Sequence, residues 1–116
     1  TQRLVRIVGT GMAKEMVFSA KNIKADKALE IGLVNGITTQ EELMPTVMKL
    51  AQKIASNAPI AVRNAKRAIT DGFLADMDHA IMIEERCFGD CFETEDQKEA
   101  MTAFVEKRKG VEFKNR

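Results

Sequence analysis

The chain has no tryptophan and no tyrosine, and only one histidine, two prolines and two cysteines in 116 residues. Each shortage closes off a class of function. His79, Cys87 and Cys91 do not supply the ligands of a zinc centre, so no metal site is expected. The two cysteines stand four apart on one helical face, a spacing that suits a disulfide poorly, and read as buried thiols in a reducing compartment. No apolar run approaches the ~18 residues of a membrane span, and no signal peptide is visible at the start. Lys and Arg number 18 against 17 Asp and Glu, a formal net charge of +1, so nothing favours electrostatic capture of nucleic acid. No Ser/His/Asp set is present, and no carboxylate is singled out by its context as a catalytic acid or base. The adjacent Glu84 and Glu85 point to different sides of a helix and cannot act as a pair there.

What is present is a helix-forming, apolar-rich chain of one domain's length. Apolar residues make up 45% of it, with seven Met and six Phe, enough for a core of adaptable side chains. Some of those Met and Phe could instead face a partner or an acyl chain. Residues 2–8 read as a short helix that starts at once from Thr1 without a cap, as in a chain taken from a longer one. Gly9-Thr10-Gly11 reads as a corner, and residues 12–20 as a second helix. Ala25 to Ile31 form a two-turn helix behind the poor cap Lys24, and Gly32 suits a left-handed stop. Residues 33–38 read as a short strand or extended run. Thr39 and Glu42 make a capping box for a helix from Glu41 to about Ser56, where Leu43, Val47, Leu50 and Ile54 repeat on one face. Pro59 opens the next helix at its first position. That helix has small residues on one face and Arg63, Asn64, Lys66 and Arg67 on another. The basic face reads as solvated, with a phosphate contact as the alternative.

Asp76 or Asp78 can cap a long helix reaching Phe92, whose apolar face is wider than one neighbour requires. A second neighbour could be another subunit. Its end runs into the most informative stretch, CFGDCFETEDQKEAMTAFVEKRK, from Cys87 to Lys109. Thr94 and Gln97 have the spacing of a capping box. Ala100, Met101 and Phe104 give the next helix an apolar stripe that ends in Lys107, Arg108 and Lys109, where cations suit the helix dipole. Gly110 is the expected left-handed stop. Val111-Glu112-Phe113 can tuck Phe113 back onto the body.

The segment F-x-T-E-D-Q-K-E-x-M-x-A-F-V-E-K-R resembles the C-terminal signature of the crotonase superfamily, and most of all its short-chain enoyl-CoA hydratases. Thr1-Gln2-Arg3-Leu4 is similar to the T-Q-R-L run of that family. Ala25, Ala28 and Gly32-Leu33-Val34-Asn35 match a third motif, and Ala55, Asn57, Ala58 and Pro59 a fourth. The four stand in family order and together cover nearly the whole chain.

The resemblance implies the C-terminal helical part of a crotonase-like α/β fold, a ββα spiral, so that this chain is mainly α. Residues 1–57 would be the end of the crotonase core and residues 58–116 a helical region for oligomerisation and substrate covering. Family members add water across a 2-enoyl-CoA, using two glutamates and an oxyanion hole that lie upstream of T-Q-R-L. The resemblance therefore implies no catalytic residue in this chain and no activity from it alone. It matches Phe88 and Phe104 to aromatic positions near the acyl or pantetheine end, although apolar pattern alone assigns both to the core. Lys107 matches a lysine that can reach the nucleotide end of CoA; its alternative is a helix C-terminal charge. The implied partners are an acyl-CoA thioester and further copies of the subunit in a trimer or hexamer. No separate cofactor is implied, because coenzyme A is part of the substrate. The implied location is the cytoplasm, with the mitochondrial matrix as the alternative. An enoyl-CoA isomerase, another crotonase relative or a non-catalytic helical module are the competing readings.

Overall fold

A computed structural model describes residues 1–116. It holds seven helices and no strand: α1 (Gln2–Val8), α2 (Thr10–Ser19), α3 (Ala25–Glu30), α4 (Gln40–Ala55), α5 (Pro59–Gly72), α6 (Met77–Phe92) and α7 (Glu95–Val105). The chain divides into two compact units, Thr1–Thr46 and Val47–Arg116, with the division inside α4.

In the first unit, α1 packs on α2. The expected three-residue corner contracts to Gly9, at φ 80°. Gly9 donates its N–H to the Val5 carbonyl, and its own carbonyl accepts from Ala13 N–H, at 3.0 and 3.1 Å. One residue thus ends α1 and begins α2, and Thr10 and Gly11 are already helical. Ala13 and Ala28 are the buried side chains of this unit.

Helix α3 ends as Gly32 implies. Gly32 has φ 72°, Leu33 N–H donates to the Ala28 carbonyl at 2.8 Å and Gly32 N–H to that of Leu29 at 3.1 Å. This pair of bonds is the Schellman stop. It also corrects the strand expected over 33–38. Val34 N–H too is turned back onto the Ala28 carbonyl, at 3.3 Å, so the chain bends at 33–35 and forms no ladder. Thr39 Oγ1 accepts from Glu42 N–H at 3.3 Å, starting α4 where the capping box places it. Helix α4 is exposed along its whole length, its apolar stripe included.

The second unit is built on the α5–α6 pair. Small side chains set its close approach: a Cβ placed on Gly72 would lie 3.5 Å from that of Ala80. Asp76 caps α6, its carboxylate accepting from His79 N–H at 3.0 Å. Thr94 makes the α6–α7 corner. Its hydroxyl donates to the Cys91 carbonyl at 2.7 Å and accepts from Gln97 N–H at 3.1 Å, so one side chain satisfies groups of both helix ends.

The end of α7 differs from expectation. The helix stops at Val105, before Lys107, Arg108 and Lys109, and Gly110 plays no part in the stop although its φ is also positive, 75°. Lys107 takes the left-handed position, at φ 56°. Arg108 N–H donates to the Ala103 carbonyl at 2.8 Å and Lys107 N–H to that of Phe104 at 3.2 Å. This is the same Schellman arrangement as in α3, with lysine where glycine is usual.

Few side chains are buried. The buried apolar residues are Ala13 and Ala28 in the first unit and Cys87 and Ala103 in the second, where Asp96 is the buried charged residue. The assignment of Phe88 and Phe104 to the core is therefore corrected: they are 66% and 78% exposed. The inward faces of α6 and α7 are occupied by the smaller Cys87 and Ala103, which leaves both rings turned outward.

Candidate functional site

The second unit carries an apolar trough of about 590 Å³ along α5 and α6, reaching Gln97 and Met101 of α7. Ala61, Ala65 and Ala68 make room for it from α5, and Phe88 and Phe92 wall it from α6. The two rings meet edge to face, with centroids 5.0 Å apart. Asn64 is the polar group of this lining that crosses between helices. Its amide donates to the Cys87 carbonyl at 3.1 Å and to Cys91 Sγ at 3.4 Å. An apolar trough with few placed polar groups is the form that acyl and other small-molecule sites take.

Of the three residues singled out in the sequence, Phe88 lines this trough, whereas Phe104 and Lys107 stand outside it. Those two are joined to each other instead, through the Lys107 N–H to Phe104 carbonyl bond at 3.2 Å. The Lys107 turn is electrostatically selective. Arg108 is held by Glu106 at 2.5 Å and by Glu99 at 2.9 Å, and these two carboxylates raise its pKa above the ordinary guanidinium value. The ammonium of Lys107 has no carboxylate partner in the chain, so it remains available to an anion. The basic face of α5 is less available than its composition suggests. Asn64 is turned inward, Arg67 pairs with Asp71 at 3.5 Å, and Arg63 donates to Asn115 Oδ1 at 3.0 Å.

Beyond the turn, the chain returns along α7. Asp96, 2% exposed, accepts from Lys114 N–H at 2.6 Å and from Asn115 N–H at 2.8 Å. In exchange, the N–H groups of Glu95 and Asp96 donate to the Arg116 carbonyl, at 2.8 and 3.2 Å. Arg116 also pairs with Glu95 at 3.0 Å. Val111 and Phe113 are half-buried on this return. Sequence reasoning flagged Phe113 and missed Asp96. An acid in a first helical turn reads as a complement to the dipole, and its burial depends on a tail segment that no local pattern connects to it.

The chain belongs to the enoyl-CoA hydratase/isomerase family, whose model matches residues 1–116. It is 59% identical over 116 residues to a short-chain-enoyl-CoA hydratase of Clostridium acetobutylicum, covering 100% of this chain and 44% of that one. A crotonyl-CoA hydratase of Syntrophomonas wolfei is 53% identical over 109 residues, 94% of this chain and 42% of the relative. The solved enoyl-CoA hydratase of Bacillus anthracis superposes with a TM-score of 0.91 at 38% identity, covering 99% of this chain and 44% of that one. The chain thus spans less than half the length of these three proteins, in the C-terminal portion, and is the helical part of a crotonase-type fold. No helix is long and apolar enough to cross a membrane.

Proposed function

We propose that the chain is the C-terminal part of a short-chain enoyl-CoA hydratase subunit, which adds water across the double bond of a 2-enoyl-CoA or removes it in reverse. The observation that carries this reading is the match of the whole chain to the family, with 59% identity to a short-chain-enoyl-CoA hydratase. In the complete subunit, two backbone N–H groups hold the thioester oxygen as negative charge develops on it. Two glutamates position the water and exchange its protons. These groups belong to the part of the subunit outside this chain, so residues 1–116 supply no catalytic residue. Coenzyme A enters as part of the substrate, with no separate cofactor.

The contribution of this chain is to cover the substrate and to assemble the subunits. Phe88, on the trough, faces the acyl or pantetheine end. Phe104 stands beside the turn that carries Lys107, and Lys107 offers its unpaired ammonium to the phosphates of the nucleotide end as a flexible point charge. The exposed apolar faces of α4, α6 and α7 support burial against the rest of the subunit and against further copies of it. A trimer or hexamer in the cytoplasm or mitochondrial matrix is the assembly this reading gives.

The test is a graft. This chain replaces the matching 44% of the C. acetobutylicum enzyme, and loss of crotonyl-CoA absorbance is followed alongside the assembly state of the graft. Hydration by the graft supports the reading. A graft that folds and assembles but does not hydrate crotonyl-CoA would overturn it. The isolated 116 residues are expected to give no turnover and to self-associate in light scattering.

A further inference from the structure

The Lys107 turn is held from both sides. On one side, α7 ends in it through the bonds of Lys107 and Arg108 to the Phe104 and Ala103 carbonyls. On the other, the chain leaving it runs back over Val111 and Phe113 and is fastened at the start of α7. The fastening point is one buried carboxylate. Asp96 accepts two backbone N–H bonds, from Lys114 and Asn115, while the Arg116 carbonyl accepts two from Glu95 and Asp96. Asn115 sits at φ 60°, a conformation costly for most residues but tolerated by asparagine. Its side-chain oxygen also takes the bond from Arg63 on α5. Residues 106–113 therefore form a closed loop whose two ends are both anchored on α7.

We propose that Asp96 is a positioning residue for substrate binding. It fixes the returning tail, and through the closed loop it fixes where Lys107 presents its ammonium. This rests on the reading above in which Lys107 meets the nucleotide phosphates of coenzyme A. Asp96 itself touches no substrate: its two oxygens are occupied by the Lys114 and Asn115 amides, and it is buried. Lys107 is held in a left-handed conformation that lysine adopts only at a cost, and a turn under such strain relaxes when its second anchor is removed. Relaxation would move a flexible cation away from its phosphate without touching the reacting carbons.

The experiment uses the grafted complete hydratase and two substrates, crotonyl-CoA and crotonyl-pantetheine, which lacks the nucleotide. Asp96→Asn keeps the shape but turns an amide N–H group toward an N–H donor. It is expected to raise KM for crotonyl-CoA about fivefold, the factor that corresponds to one exposed charge-assisted contact. The expected kcat is unchanged, and so is the KM for crotonyl-pantetheine. Lys107→Ala is expected to do the same, and the double variant to be no worse than either alone. Lys114→Pro, which removes one of the two amides that Asp96 holds, is the second variant and decides the matter if Asp96→Asn fails to fold. It is expected to reproduce the KM effect. Effects of Asp96→Asn and Lys107→Ala that multiply in the double variant would overturn the proposal, as would a fall in kcat or equal loss with both substrates. If Lys107→Ala alone leaves the KM for crotonyl-CoA unchanged, the Lys107 reading is what fails, and the positioning role falls with it. If Lys107→Ala acts and the two anchor variants do not, only the positioning role fails.

Discussion

Asn64 reaches from α5 to the backbone carbonyl of Cys87 on α6, donating its amide at 3.1 Å. A second contact to Cys91 Sγ at 3.4 Å uses the same amide nitrogen. The bond crosses the part of the second unit where α5 presents alanines, so it is a polar tie within an otherwise apolar contact. Asn64→Ala is expected to destabilise the complete subunit by about 1 kcal/mol, the net worth of a typical intramolecular hydrogen bond. Chemical denaturation measures this, and a midpoint that does not move would show that the tie is replaced by water at no cost.

Lys107 should give opposite signs in stability and in binding. Glycine reaches its φ of 56° without the Cβ penalty that lysine carries there. Lys107→Gly is expected to stabilise the fold by roughly 1 kcal/mol while raising the KM for crotonyl-CoA about fivefold, as the loss of one charge-assisted contact implies. Lys107→Ala should raise KM equally and bring no gain in stability. Thermal unfolding and initial rates on the same preparations separate the two effects.

The α6–α7 corner depends on one hydroxyl. Thr94→Ala removes both the bond from Gln97 N–H and the bond to the Cys91 carbonyl. A loss of about 1–2 kcal/mol is expected, the upper range for a helix cap. Thr94→Ser keeps the hydroxyl and should recover most of it. Equal destabilisation by serine would assign the effect to the methyl group instead.

Acid should loosen the start of α6. His79 N–H donates to the Asp76 carboxylate and lowers its pKa below the ordinary aspartate value, against an opposing effect of desolvation. A group whose folded-state pKa is depressed adds stability above its unfolded value, about 3.9, and loses it as pH falls through the folded value. The melting-temperature advantage of the wild type over Asp76→Ala is therefore expected to be full at pH 7 and to shrink below about pH 4. An advantage equally large at pH 3 would mean that the protonated side chain caps just as well.

Much of the helical order is legible in the sequence because the signals are local. Thr39, Asp76 and Thr94 each accept the N–H three residues on, and Gly32 stops α3 with positive φ. Local signals fail where a distant group decides. A helix stop at Lys107 is hidden because lysine carries no turn signature and Gly110 stands nearby as a better one. The burial of Asp96 is set by amides 18 and 19 residues away. The supposed strand at 33–38 had extended-looking residues but no partner strand and an earlier claim on its first N–H groups by the end of α3. Phe88 and Phe104 show the remaining gap. Apolar period marks the side of a helix that avoids water, and leaves open whether its own chain or another surface provides the shelter.

The α5–α6 trough has a consequence for how the protein can be watched. Cys87 is buried and Cys91 half-buried on the trough wall, and the chain holds no other sulfhydryl. Whatever lies over Phe88 and Phe92 also lies over Cys91. The rate at which a small alkylating reagent labels that thiol is then a stopwatch for occupancy. It would run fast while the trough stands open and slow once a neighbouring surface or an acyl chain closes it, and it needs neither turnover nor an added fluorophore.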